Sequence, residues 1–289
     1  MLFFILTFAY MHPLYHYIKK ELSALYAEEE ASSMAKWTLM EAFHFTPLEL
    51  YGGKDTNLSP DRQHQLKDIV CRLKRHEPLQ YVLGRAGFGN LSLHVAPGVL
   101  IPRPETEELV EWISTDHPEP GLRILDIGTG SGCIAIALAT LCKEASVTAW
   151  DISPDALRIA RDNAEANGVE VDFNQVDVMQ LELPRMSVDI LVSNPPYIKE
   201  SEQDEMEANV LAWEPHQALF VPDDDPLRFY RRIAQAGHEL LASGGALYFE
   251  INRLYGQETI GLLKEAGYHS VQLRKDLSGN DRMVKAIHY

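Results

Sequence analysis

From residue 122 onward the chain alternates short apolar runs with longer amphipathic stretches. Runs at 122–127, 146–150, 171–176, 188–193, 245–251, 268–274 and 282–288 have the length and apolar content of buried strands. Segments at 132–142, 154–167, 226–242 and 256–266 place apolar residues at helical spacing. Strands that alternate with helices imply crossover connections and a doubly wound sheet. Only Lys275 to Asp281, containing Gly279-Asn280, separates the last two strands, so that pair is expected antiparallel. The predicted class is α/β: a seven-stranded Rossmann-like sheet closed by a hairpin.

Upstream the pattern changes. Residues 12–76 read as a small helical domain, with Leu14, Tyr17, Ile18, Leu22 and Leu25 at helical spacing. Leu58-Ser59-Pro60-Asp61 opens another helix, with Ser59 as N-cap, Pro60 in the first turn and a stripe of Leu66, Ile69, Val70 and Leu73. Residues 77–101 are punctuated by Gly84, Gly87, Gly89 and Asn90, and predict a β-hairpin linking this domain to residues 102–289. Residues 1–11 form an apolar leader without the basic start of a signal peptide, too short to span a bilayer. A soluble start at Met11, with the start codon assigned too far upstream, is the expectation there.

Charge narrows the partners. The net charge is −16, yet residues 12–76 hold nine basic and nine acidic residues. The excess therefore lies entirely from residue 77 onward, a poor footprint for gripping a phosphate backbone. No direct nucleic-acid contact and no membrane contact are expected. Cys71, Cys133 and Cys142 form no C-x-x-C, and the eleven histidines show no metal-ligand spacing. A reduced, cytoplasmic compartment and no metal follow as expectations.

The chemistry sits at two strand ends. Asn194-Pro195-Pro196-Tyr197 follows the run Val188 to Ser193. The prolines stop the ladder and hold the backbone extended, leaving the Asn194 amide and nearby carbonyls open beside the Tyr197 ring. Two acceptors beside a flat ring suit a planar NH2 group, in a carboxamide or a base; an ordinary strand-terminating loop has the same letters. Upstream, Asp126-Ile127-Gly128-Thr129-Gly130-Ser131-Gly132 joins strand to helix, with glycines expected to admit a ligand and aim N–H groups at it. About twenty residues on, Asp151 ends the next strand, placed for ribose hydroxyls. This spacing alone fits a nicotinamide dinucleotide as well as S-adenosylmethionine; Asp126, able to face a cation, favours the methyl donor. Arg103 and Glu105 either line the cleft or fix the Pro102-Arg103-Pro104 loop, and Thr106 is a candidate cap for the helix that follows.

Together these pieces resemble the HemK/PrmC family, the peptide chain release factor N5-glutamine methyltransferases. The resemblance rests on Gln80 to Gly84, Ile101 to Glu107, Leu125 to Gly132, Asp151, Val192 to Tyr197, Glu214-Pro215 with Ala218-Leu219, Lys275-Asp276 and Asp281-Arg282. It implies a class I methyltransferase sheet, S-adenosyl-L-methionine held by Gly128, Thr129, Gly130, Ser131, Gly132, Asp151, Val178 and Asn194, and a glutamine amide received by Asn194, Pro195, Pro196 and Tyr197. Asn194, Pro195 and Tyr197 are then the catalytic candidates. Val178 stands where the family often carries a large aromatic, a departure at the adenine. The implied substrate is the Gly-Gly-Gln segment of release factors, acted on by a monomer, with Arg72, Lys74 and Arg75 of the helical domain as candidate contacts. A ribosomal-protein glutamine methyltransferase and a DNA or RNA adenine N6-methyltransferase are the alternatives.

Overall fold

A computed structural model describes residues 11–52, 58–180 and 182–289. Residues 1–10, most of the expected leader, lie outside the described residues. The helical unit begins with α1 (Pro13–Leu22), α2 (Glu28–Trp37), a π turn at Thr38–Ala42 and α3 (Pro47–Gly52). It continues with α4 (Pro60–Leu73) and α5 (Leu79–Leu83). Tyr15, Ile18 and Leu22 turn inward from α1, whereas Tyr17 and Leu25, expected in the same stripe, are 38% and 44% exposed. On α4 the expected stripe is buried, and Ser59 accepts from the Arg62 N–H at 3.4 Å as its N-cap. Three glutamates in the first turn of α2 favour its N-terminal dipole.

Arg72 is a structural residue of this unit. Its Nε donates to Glu77 Oε2 at 2.8 Å, and its Nη atoms donate to the carbonyls of Tyr81 and Val82, both at 3.2 Å. That pins α5 to the end of α4. Lys74 is paired with Glu21. Two of the three cations expected to meet a partner are thus already engaged.

The second unit carries β1 (Arg85–Phe88), β2 (Leu91–His94), α6 (Pro104–Asp116), β3 (Arg123–Ile127), α7 (Cys133–Leu141), β4 (Ser146–Asp151), α8 (Pro154–Ala166), β5 (Asp172–Gln175) and β6 (Val188–Ser193). Then come β7 (Ile198–Lys199), a 3-10 turn at Glu200–Glu205 and α9 (Ala208–Trp213). The chain ends with α10 (His216–Leu219), β8 (Phe220–Val221), α11 (Arg228–Leu240), β9 (Leu241–Glu250), α12 (Gly256–Glu265), β10 (His269–Lys275) and β11 (Asp281–Ile287). The expected linker at 77–101 is divided: α5 groups with the helical unit, and the β1–β2 hairpin with the sheet. α9 groups with the helical unit as well, and the Trp213 Nε1 donates to the Arg75 carbonyl at 3.4 Å.

Seven strands pair in the order β10-β11-β9-β6-β3-β4-β5, parallel except at β11, which pairs antiparallel with both β10 and β9. Side chains alternate across the sheet. Ile124, Ile190, Val192, Ala246 and Tyr248 join a core with α6, α7, α8 and the β1–β2 hairpin. Leu125, Leu191, Leu247 and Phe249 join a second core under α11 and α12. Strand order reverses between β3 and β6, and the crevice beyond such a reversal is where open α/β sheets bind ligands. Among the described residues, no helix is long and apolar enough to cross a membrane, and no cluster of side chains is built to hold a metal.

Candidate active site

Both strand-end motifs open at that reversal. Ile127 at the end of β3 is paired with Ser193 at the end of β6, so the glycine loop and the Asn194 loop leave the sheet side by side. Ser193 strengthens the junction by donating its hydroxyl to the Ile127 carbonyl at 2.6 Å.

The glycine loop departs from expectation in one respect. Most of its N–H groups are spent internally: Gly128 and Thr129 donate to the Trp150 carbonyl at 2.8 and 3.0 Å, and Gly132 to Thr129 at 2.8 Å. Gly130 donates to Asp151 Oδ2 at 2.8 Å. The loop offers a ligand room rather than a row of amide donors. Gly128 and Gly130 have φ of +77° and +56°, and a Cβ on either would meet nothing within 4 Å. Gly132 serves packing instead, since a Cβ there would lie 2.9 Å from Ile136 and 3.1 Å from Ala160 of α8.

Two carboxyl groups border the loop, Asp151 partly exposed and Asp126 beneath it. Asp126 is fully buried; its Oδ2 accepts from the Thr129 hydroxyl at 2.6 Å, while Oδ1 makes no hydrogen bond among the described residues. Burial pushes its carboxyl up to about 7, against the Thr129 hydroxyl and with help from the Asp151 charge. Asp151 takes the Ser153 N–H at 2.9 Å on Oδ1 in addition to Gly130, and burial raises its carboxyl despite those bonds. The buried Ser131 hydroxyl makes no hydrogen bond to a nitrogen or oxygen atom among the described residues. A dinucleotide's pyrophosphate would find carboxylates and few free amides here. A cationic ligand with ribose hydroxyls finds complementary groups, so the residues fit S-adenosylmethionine. Val178, buried among Leu125, Ile127 and Trp150, contributes to the apolar wall behind the loop.

At the β6 end, Asn194 Nδ2 donates to Thr106 Oγ1 at 3.3 Å. Among the described residues neither Asn194 Oδ1 nor the Pro195 carbonyl takes a hydrogen bond, so both acceptors stay available. Pro195 is buried and Pro196 half-buried. Tyr197 is held at three points: its N–H donates to Leu219 at 3.2 Å, its carbonyl accepts from Asn252 at 3.1 Å, and its hydroxyl donates to Glu250 Oε1 at 3.1 Å.

Several functional neighbours escaped the sequence reading. Thr106 does not cap α6; Arg103 occupies the cap, and the Thr106 hydroxyl donates to Glu250 Oε2 at 2.6 Å. Glu250 is buried at the end of β9, one residue beyond Phe249, which pairs with Ser193. The visible signal was a carboxylate ending the apolar run Ala246 to Phe249. Asn163 of α8 donates to the carbonyls of Ser131 and His94 at 2.9 and 3.0 Å and accepts from the His94 N–H at 2.6 Å. It thereby ties the glycine loop to β2. Arg103 fixes its loop: Nη2 donates to buried Glu214 at 2.5 Å, and Glu214 also accepts from the Ile101 N–H at 3.4 Å.

Fold and site together define a class I, S-adenosylmethionine-dependent methyltransferase. Comparisons with known proteins sharpen this. A model described as the methyltransferase small domain matches residues 104–219, and one described as the PrmC N-terminal domain matches residues 14–84. A release factor glutamine methyltransferase of Bacteroides thetaiotaomicron is 50% identical over 271 residues, 93% of this chain and 97% of its own. One of Flavobacterium psychrophilum is 44% identical, covering 91% and 94%. The solved Thermus thermophilus 16S rRNA N2 G1207 methyltransferase, in complex with AdoMet and guanosine, shares the fold at a TM-score of 0.52. It is 20% identical and covers 71% of this chain and 50% of that one. The chain belongs to the release factor glutamine methyltransferase family.

Proposed function

We propose that this chain transfers a methyl group from S-adenosylmethionine to the side-chain amide nitrogen of the glutamine in the Gly-Gly-Gln segment of a peptide chain release factor. The observation that carries this reading is the pair of acceptors to which no described residue donates, Asn194 Oδ1 and the Pro195 carbonyl, beside a cation-tolerant glycine loop. Gly128 to Ser131, Asp126, Asp151 and Val178 would hold the cofactor, with Gly132 packing the loop onto its helix; when bound, the cofactor supplies an electrophilic methyl on a sulfonium.

A carboxamide nitrogen is a weak nucleophile because its lone pair is delocalised into the carbonyl. Asn194 Oδ1 and the Pro195 carbonyl accept its two N–H bonds and fix the nitrogen toward the methyl, which is catalysis by orientation. The same acceptors face the positive charge that develops on nitrogen as the bond forms. Tyr197, locked by its three hydrogen bonds, offers its ring to the flat amide. No strong base is needed: as the N–CH3 bond forms and the S–CH3 bond breaks, the amide nitrogen becomes cationic and strongly acidic, and it releases one of its two protons to water. We place the enzyme in the cytoplasm as a monomer; three free cysteines fit a reducing compartment.

The test is mass spectrometry of a purified release factor after incubation with the protein and S-adenosylmethionine. A mass gain of one methylene on the motif glutamine is expected. Methyl transfer to adenine in nucleic acid, with none to the release factor, would replace this reading.

A further inference from the structure

The Asn194 carboxamide poses a question of polarity. Its two ends are nearly equal in shape, but only the oxygen end can receive a substrate N–H; the NH2 end would repel it. Packing alone cannot choose between them. A chain of buried hydrogen bonds can. The Thr106 hydroxyl stands between Asn194 Nδ2 at 3.3 Å and Glu250 Oε2 at 2.6 Å. Thr106 and Glu250 are 2% and 1% exposed, so solvent does not compete for these bonds.

We infer that Glu250 and Thr106 are positioning residues that set which end of the Asn194 amide faces the substrate. Glu250 Oε2 accepts from Thr106, so the Thr106 proton points to Glu250 and leaves the hydroxyl with lone pairs alone for Asn194. Those lone pairs take Nδ2, which turns Oδ1 toward the cleft. The carboxylate's other oxygen accepts from the Tyr197 hydroxyl, so one group orders both sides of the Asn194-Pro195-Pro196-Tyr197 turn. Geometry makes this possible because α6 lays its first turn over the end of β9. Burial raises the Glu250 carboxyl, while the Thr106 and Tyr197 hydroxyls and the Arg282 charge oppose that rise.

This inference rests on the amide-accepting role proposed for Asn194, and the experiment separates the two. Wild type, Thr106→Val, Thr106→Ser and Glu250→Gln are compared by thermal melting, calorimetric cofactor binding and turnover on a release factor. Thr106→Val keeps the shape and loses the hydroxyl. It is expected to lower kcat about tenfold or more, the equivalent of one lost hydrogen bond, with cofactor Kd within about threefold. Thr106→Ser, which restores the hydroxyl, recovers most of that loss. Glu250→Gln, whose amide can donate as well as accept, lowers kcat by about fivefold or more and carries the test alone should the valine variant not fold. Valine turnover equal to wild type, or serine as impaired as valine, overturns the relay. A wild type inactive on the release factor would instead remove the substrate reading beneath it.

Discussion

At the scale of single residues, the site combines open acceptors with carboxyl groups held in awkward places. Asn194→Ala removes an acceptor that no other described residue uses, together with one 3.3 Å bond to Thr106, so the fold should persist while turnover falls by about 10²-fold, the usual cost of losing one preorganised polar group. Turnover within about threefold of wild type would rule out that role. Asp126 makes a different prediction. Its carboxyl is raised from 3.8 to about 7 in the folded chain, so between those values the folded state binds more protons than the unfolded one. Stability then falls as pH rises through that window, because the buried carboxyl must ionise. A cationic ligand beside it favours the ionised form. Cofactor affinity should therefore increase as pH rises through about 7, measured by calorimetry, and Asp126→Asn should flatten the dependence.

At the scale of elements, the glycine loop separates two roles that one motif had merged. Gly132→Ala would press a Cβ onto Ile136 and Ala160 in the α7–α8 contact, in a backbone region disfavoured for alanine. A loss of roughly 1–3 kcal/mol in denaturant unfolding is expected, as for overpacking elsewhere. Gly130→Ala shares the positive-φ strain but meets open space, so it should cost less stability than Gly132→Ala and fall more on cofactor binding; equal melting losses in the two variants would refute the distinction. The strands and helices behind the loop were legible because their periods are local. Every strand expected from residue 122 onward is present, within a few residues of its bounds, and the last pair is antiparallel. The partners of Asn194 were not legible. Thr106 and Glu250 are 144 positions apart and meet only because α6 crosses the end of β9. Thr106 followed a Pro-Arg-Pro loop and so resembled a cap, but Pro104 takes the first helical position and shifts the cap to Arg103. Likewise, the spacing of the glycines was visible, while the internal use of their N–H groups depends on Trp150 and Asp151 from the neighbouring strand.

At the scale of the molecule, charge and pocket chemistry select the same kind of substrate. The region from residue 77 onward carries the whole net charge of −16, and nucleic-acid affinity depends on basic groups that displace counterions. Within the helical unit, Arg72 and Lys74 are committed to Glu77 and Glu21, which offsets two cations otherwise available to steer a phosphate backbone. A protein loop has no such requirement. It needs a backbone slim enough to bring a side-chain amide to Asn194, and glycines next to the target provide that. Glutamine has one methylene more than asparagine, and orientation at the reacting nitrogen is sensitive to displacements on the order of 1 Å. Replacing the target glutamine by asparagine should therefore abolish most methylation, even with the surrounding glycines intact. Duplex DNA should accept no methyl group at low salt, where electrostatic binding has its best chance. Both outcomes are read from transfer of a labelled methyl group in parallel reactions. Efficient labelling of the asparagine substrate would mean that reach does not control the reaction, and labelled DNA would mean that the acidic surface does not exclude it.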